Sequence, residues 1–382
     1  MNEKKKILYI VRYPIYEDFN LRGKFDGQLR GFEKLGYDVY YLAFDRKYFY
    51  LINNGQKQIF GKAHWKVPGY FHTMCYQDLY TSARKAVQSI GFDCVYCRAA
   101  PNLPASLRLA KQVKRSGARL IYEYPTYPLR LEKSMNLLRS IYVPISIALR
   151  KRIEKLVDGF VLIGEDAGGM YNGKPAINIA NGIDPDVIPL RKYKPDPDAI
   201  HILLLASMSY WHGYDRLIRS LHAYNGEPTV VLHMVGGNDG GMLPEWKNLA
   251  EELQVEDRVI FHGKLYGDAL TAMFDLCDVG INSLGMYRKS FSVTSELKTR
   301  EYAARGLPFI CSVEDPVLLH APQPFWFRVS NDDTIPDMQQ IVDFANTMRA
   351  DREHPEKLRA YARQYMSWES QYAPLMKMFT EE

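Results

Sequence analysis

Between positions 290 and 309 the chain gathers Ser290, Thr294, Ser295, Lys298 and Glu301, with no helix breaker before Gly306. Thr294, Lys298 and Glu301 are spaced four and three apart, so on a helix they share one face. A helix over 295–304 would open with free backbone N–H groups and with hydroxyls from Thr294 and Ser295, a ready site for an anion. Lys298 and Glu301 would stand about 4.5 Å apart along its axis, three residues at about 1.5 Å each. A cation there suits a diphosphate, and a carboxylate one turn on suits the hydroxyls of the adjoining ribose. The competing reading is an ordinary intrahelical ion pair on a solvated face.

Other patterns exclude chemistries. No G-x-G-x-x-G follows the first strand-like run, and the glycines of Val235-Gly236-Gly237-Asn238-Asp239-Gly240-Gly241 fall at the wrong spacing, which counts against nicotinamide and flavin. Walker A, G-x-S-x-G and H-E-x-x-H sequences are absent. Two D-x-D triplets, 184–186 and 196–198, have proline at their centre and sit in a candidate linker, so no metal held by the protein is expected. Cys94 and Cys97 have redox spacing but lie inside a strand-like run, so the five cysteines read as small buried hydrophobes in a reducing compartment.

The elements that must position these residues alternate. Strand-like runs at 7–12, 38–43, 94–98, 119–122, 159–163 and 176–180 are separated by helical periodicity at 25–35, 79–90, 103–116 and 137–157, with 44–69 less regular. Turn formers and charge concentrate from Asn181 to Asp198. The alternation then restarts, with strands at 200–206, 229–235, 258–262, 279–283 and 308–312. This is the pattern of an α/β protein with two doubly wound Rossmann-like domains, 1–185 and 186–355, and a helical segment 356–382 that packs back on the first. Ligands in such sheets bind beyond the carboxyl ends of the strands, and two facing sheets would place those ends across a shared cleft.

The 382 residues are 47% apolar and 24% charged, the profile of a globular protein. No run approaches the ~20 apolar residues that span a bilayer, and the charged start resembles no signal peptide, so cytoplasmic residence is expected. The net charge of +5 hides an asymmetry. Residues 1–185 hold 29 Lys and Arg against 16 Asp and Glu, a net +13, which leaves 20 against 28, or −8, for the rest. In the helical run 137–157, Arg139, Arg150, Lys151, Arg152 and Lys155 flank Ile141, Tyr142, Val143, Ile145 and Ile147, a mixture suited to an anionic membrane surface.

The segments Val231 to Gly237, Leu249 to Leu253, Asp257 to Gly263, Leu276 to Asn282 and Glu301 to Pro308 together resemble the nucleotide-sugar domain of GT-B glycosyltransferases of family 4. The linker Ile179 to Asp184 is similar to that family's crossing between domains, and over 1–170 the likeness is architectural only. The resemblance implies transfer of a sugar from a nucleoside diphosphate sugar to a saccharide or lipid-linked saccharide, with retention of configuration, no cofactor and no nucleic-acid partner. It assigns Glu301 to the ribose. The family's other glutamate would fall at position 293, which is Val293. In Tyr210-Trp211-His212-Gly213-Tyr214-Asp215, His212 replaces the usual lysine. Lys298, His212 and the pair Arg288-Lys289 are candidate substitutes on the diphosphate, and Gly23-Lys24 loosely matches the family's glycine loop. Glu123, at the end of the strand 119–122, is a candidate to orient or deprotonate an acceptor hydroxyl. An epimerase on the same fold, or a non-catalytic sugar-nucleotide sensor, are the rival readings.

Overall fold

The computed structural model describes residues 4–16, 21–64, 74–128, 137–320 and 323–380, with 137–143 and 380 as backbone only. The chain divides into two compact units, Met1–Ile179 with Trp368–Glu382, and Ala180–Ser367.

The first unit is built on strands β1 (Lys6–Pro14), β2 (Asp38–Phe44), β3 (Tyr48–Asn53), β4 (Gln56–Lys62), β5 (Cys94–Arg98), β6 (Arg119–Tyr127), β7 (Gly159–Gly164), β8 (Met170–Tyr171) and β9 (Lys174–Ile179). They form one nine-stranded sheet in the order β4-β3-β2-β1-β5-β6-β7-β9-β8. The centre, β2 to β9, is parallel and the edges are antiparallel. A parallel strand covered on both faces reads as a continuous apolar run, which is why 7–11 shows no alternation of polarity. Leu8 and Ile10 enter one apolar layer, while Ile7, Tyr9 and Val11 enter the other.

The stretch 44–69, expected to be irregular, instead contains the hairpin β3–β4. Its turn residues Asn54 and Gly55 both have positive φ, 47° and 77°, which matches the right-handed twist of the two strands. The helices Trp368–Tyr372 and Leu375–Thr380 lie on the helix Arg22–Lys34, where Phe32 stacks on Tyr372 at 4.3 Å. A Cβ at Gly27 would come within 2.6 Å of Trp368, so the close approach requires glycine there.

The second unit holds β10 (Ala199–Leu205), β11 (Thr229–Val235), β12 (Val259–Gly263), β13 (Val279–Ile281), β14 (Phe309–Cys311) and β15 (Trp326–Arg328). They make a six-stranded sheet in the order β12-β11-β10-β13-β14-β15, parallel throughout. The unit boundaries fall at 179/180 and 367/368 rather than at 185/186 and 355/356. The linker is tied to the second unit because Arg359 donates to the carbonyls of Pro185, Ile188 and Ala304, and Ile183 forms a bridge with Ser367.

The helix expected over 295–304 runs from Leu297 to Arg305. Val293 bridges to Glu314 and the Thr294 N–H donates to the Glu314 carbonyl at 2.9 Å, which keeps the backbone extended until the turn before Leu297. Among the described residues no helix is long and apolar enough to cross a membrane.

Candidate functional site

At the carboxyl edge of the second sheet, the neighbouring strands β10 and β13 each run into a loop and then a helix. The loop after β10 ends in the short turn Tyr210–His212 and the helix Tyr214–Ala223, and the loop after β13 leads to the helix Leu297–Arg305. The two loops interlock at glycine. Gly213 has φ of +65°, and a Cβ there would lie 2.5 Å from the Gly285 nitrogen, while the Leu284 N–H donates to the His212 carbonyl at 2.7 Å. Both helices therefore begin beside one region of the edge, and helix starts favour an anion.

Lys298 stands in the first turn of its helix with its Nζ 3.1 Å from the Tyr214 hydroxyl oxygen and 3.5 Å from Glu296 Oε2. Burial pushes its pKa down, and the Glu296 carboxylate acts against that shift. The Ser283 N–H and hydroxyl donate to Glu296 Oε2 at 3.2 and 3.1 Å. The other oxygen, Oε1, is buried with no hydrogen-bond partner among the described residues. His212 is buried, its ring stacked on Tyr214 at 5.6 Å. Its Nδ1 accepts from the Ser209 N–H at 2.9 Å, so the neutral ring carries its proton on Nε2. Burial, then the Lys298 and Lys289 charges, push its pKa down to about 2. The cluster thus offers a rigidly held ammonium, an uncharged N–H donor and one unengaged carboxylate oxygen.

Several sequence candidates are occupied differently from expectation. Thr294 and Ser295 precede the helix, so they do not share a helical face with Lys298 and Glu301, and Ser295 Oγ accepts from the Asn181 N–H. Glu301 Oε1 accepts from Arg305 Nε at 3.1 Å, the intrahelical pair that competed with the ribose assignment, and its side chain keeps 26% exposure. Arg288 grips Asp215 with both guanidinium nitrogens, at 2.9 and 2.7 Å, and lies over the Tyr210 ring at 4.4 Å. The Lys289 ammonium lies 3.4 Å from the centre of the Trp211 ring.

In the first unit, Gly23 belongs to the first turn of the helix Arg22–Lys34, not to a loop, and a Cβ there would meet nothing within 4 Å. Lys24 is buried, its ammonium 5.6 Å from the Trp368 ring centre. Glu123 is wholly buried rather than directed at a ligand. Its Oε2 accepts from Gln28 and from the Tyr96 hydroxyl, both at 2.8 Å, and its Oε1 accepts from Arg98 at 2.8 Å. Against the effect of burial, Lys24, Arg98 and these hydrogen bonds hold its carboxyl below the usual value. A carboxylate so fully engaged serves as a structural counter-ion to Arg98.

Glu296, Tyr214 and Ser283 were missed in the sequence, although Glu296 sits two residues before Lys298 in the same run. All five cysteines are free and buried, and burial pushes the Cys97 thiol up to about 12, so the Cys94–Cys97 spacing carries no thiolate chemistry. Among the described residues no group of three or more His, Cys, Asp or Glu is arranged to hold a metal ion.

Residues 190–365 match the family model of glycosyl transferases group 1. Three solved structures align over nearly the whole chain. A glycosyltransferase from Rickettsia africae shares 13% identity at a TM-score of 0.61, covering 99% of this chain and 98% of its own. The catalytic domain of starch synthase IV from Arabidopsis thaliana, bound to ADP and acarbose, shares 12% at 0.65, covering 99% of each chain. HepE of Anabaena in complex with UDP shares 14% at 0.57, covering 98% and 100%. At these identities the likeness is one of fold. No curated protein matches the sequence.

Proposed function

From the match of residues 190–365 to glycosyl transferases group 1 and from the GT-B fold, we propose that the chain is a glycosyltransferase that works through its second unit. It moves a sugar from a nucleoside diphosphate sugar to a saccharide or lipid-linked saccharide, without a metal held by the protein and with retention of configuration. The observation that carries the reading is the buried Lys298 ammonium, in the first turn of one helix and bonded to Tyr214 in the first turn of another, near the neutral His212 ring.

Departure of a nucleoside diphosphate concentrates negative charge on its outer phosphate. Lys298 and the first-turn N–H groups are already oriented before that charge develops, so little reorganisation accompanies it. His212 donates from Nε2 without adding a second cation beside Lys298, whose repulsion would otherwise weaken both. Glu296 Oε1, buried and unengaged, accepts from a hydroxyl of the donor sugar, the service for which Val293 has no polar atom. Glu301 keeps its role toward the ribose through Oε2, while Oε1 stays with the buried Arg305 guanidinium. The ligands of these neighbours, UDP in one case and ADP with acarbose in another, support a nucleotide-bearing donor and a saccharide acceptor. A cytoplasmic position on the inner membrane face, in cell-surface polysaccharide synthesis, is part of the same proposal.

The test is a screen of nucleoside diphosphate sugars. A donor that raises the melting temperature and then releases nucleoside diphosphate, faster with a saccharide acceptor, supports transfer. Conversion of donor into its epimer without acceptor would establish the epimerase reading, and binding without any turnover would establish the sensor.

A further inference from the structure

Three histidines on neighbouring strands of the second sheet form one chain of hydrogen bonds. Ile202 and Leu204 of β10 and Leu232 and Met234 of β11 enter one apolar layer, so strand alternation puts His201 and His233 on the opposite face. His201 Nδ1 lies 2.8 Å from His233 Nε2, and His233 Nδ1 lies 2.9 Å from Nε2 of His262 on β12. Adjacent ring centres are 5.0 and 5.2 Å apart. At one end His201 Nε2 lies 3.1 Å from Oδ2 of Asp196, in the linker stretch before β10. The middle ring, His233, is buried. At the other end His262 is half-buried, and its Nδ1 has no hydrogen-bond partner among the described residues.

Few other charges act on the chain. The Asp198 N–H, His201 and Arg349 hold the Asp196 carboxyl below its usual value against a small effect of burial. Arg349 is itself bonded to Asp278, whose Oδ2 accepts from the His201 backbone N–H at 2.8 Å and whose Oδ1 accepts from the Tyr193 hydroxyl. Burial, then the two neighbouring rings, push the His233 pKa down to about 4, and burial alone lowers that of His262.

Each contact between rings needs one proton between two nitrogens. With Asp196 ionised, His201 carries its proton on Nε2, its Nδ1 accepts from His233 Nε2–H, and His233 Nδ1 accepts from His262 Nε2–H. All three neutral rings therefore share one tautomer, and His262 Nδ1 is left as the acceptor at the far end. One extra proton can be added there with every contact kept. A second cannot, because two N–H groups would then face each other across one contact.

We propose that this ladder relays a proton: uptake at His262 Nδ1 emerges as positive charge on His201, against the Asp196 carboxylate. His262 hands its Nε2 proton to His233 Nδ1, and His233 hands its Nε2 proton to His201 Nδ1. His233 and His262 end as neutral rings protonated on Nδ1, and no charge stays on the buried middle ring. Mild acid thus turns the hydrogen bond between the linker and the sheet into an ion pair. This goes beyond the transferase reading and does not rest on it.

The experiment is heteronuclear NMR of the full chain with nitrogen-labelled histidine, the rings assigned by single substitutions. Above neutral pH all three rings should show the Nε2–H form. On acidification His233 and His262 should change to the Nδ1–H form with one shared midpoint, at which His201 becomes the cation. Asp196→Asn keeps an acceptor oxygen but removes the charge, and should lower that midpoint by about one pH unit or more. His233→Phe should cut the relay, so that His262 becomes the cation and no longer shares a midpoint with His201. Retention of the Nε2–H form on His233 and His262, three separate midpoints in the parent, an unchanged midpoint in Asp196→Asn, or no proton uptake before the protein unfolds would each overturn the proposal. If His233→Phe does not fold, the tautomer change in the parent and the Asp196→Asn shift still decide it. Neither readout involves a donor or turnover, so failure of transfer leaves the relay standing, and failure of the relay leaves the transferase reading standing.

Discussion

The Lys298 ammonium donates to the Tyr214 hydroxyl oxygen at 3.1 Å, although 84 positions separate them in sequence. Each occupies the first turn of the helix that follows its strand, and those strands, β10 and β13, are neighbours in the sheet. Sheet order therefore places one cation at two helix starts and fixes it there through a phenol and a carboxylate.

Lys298→Met should lower the turnover number by roughly 10²-fold while changing donor affinity much less, because the charge is needed most as the diphosphate leaves. Glu301→Gln should do the opposite, weakening donor binding, and because it removes the charge facing the buried Arg305 guanidinium it should also cost about 1 to 3 kcal/mol of stability. Steady-state kinetics with donor-affinity measurements decide it. Parental values for both variants would return this helix face to a solvated surface.

The His212 ring should stay neutral between about pH 5 and 8. In the unfolded chain it takes up a proton below its ordinary value of 6.5, which the folded protein refuses, so stability should fall as the pH drops below 6.5, by up to about 1.4 kcal/mol per pH unit. His212→Gln should show a smaller loss of melting temperature on going from neutral to mildly acid buffer. An NMR titration midpoint for this ring within the neutral range would contradict the assignment.

Glu123 contributes in the other direction of charge. Its carboxyl is held below 4.5 in the folded state, so its stabilisation is complete above that value and is lost as the pH falls through the folded one. Glu123→Gln leaves Arg98 without its buried counter-ion and should cost about 3 to 5 kcal/mol at neutral pH. Denaturant melts measure this. A variant of parental stability with a collapsed turnover number would reinstate Glu123 as a base.

Two glycines make a matched pair. Gly213→Ala combines positive φ with a Cβ 2.5 Å from the Gly285 nitrogen, so it should cost more than about 1 kcal/mol and disturb donor binding. Gly23→Ala meets open space on a helix and should leave stability unchanged or raise it by up to about 1 kcal/mol. Comparing the two melting temperatures and donor affinities tests whether the glycine at the donor site is the one in the second unit.

On the helix Leu137–Glu154, Ile145 is 54% exposed and Lys151 and Arg152 are exposed, as is Lys155 just beyond it, while the side chains of Arg139, Ile141, Tyr142 and Val143 lie outside the described residues. Cosedimentation should show binding to anionic vesicles that is lost at high salt and is absent with neutral lipid. Equal binding to both lipids would refute membrane attachment through charge.

The sequence made the alternation of strands and helices legible because a parallel strand buried on both faces must be apolar along its length, as in 7–11 and 202–205. It showed Lys298 as a candidate through its spacing from Glu301 on one helix, and His212 through the family resemblance of Tyr210 to Asp215. The hairpin β3–β4 was missed despite its Asn54-Gly55 turn, since its edge strand β4, Gln56–Lys62, carries the polar residues that parallel central strands lack.

By itself, then, the sequence determined the two-sheet architecture and pointed to the region proposed to hold the donor, because hydrophobic period and turn chemistry act over neighbouring residues. Which groups are engaged was decided only by tertiary structure. Glu123 and Glu301 are equally acidic in the sequence, yet the first is consumed by Arg98, Tyr96 and Gln28, and Glu296, unremarked in the sequence, has a buried oxygen to spare. A carboxylate's availability depends on the donors that folding brings within about 3 Å of it, and those donors come from strands and helices far apart in the chain.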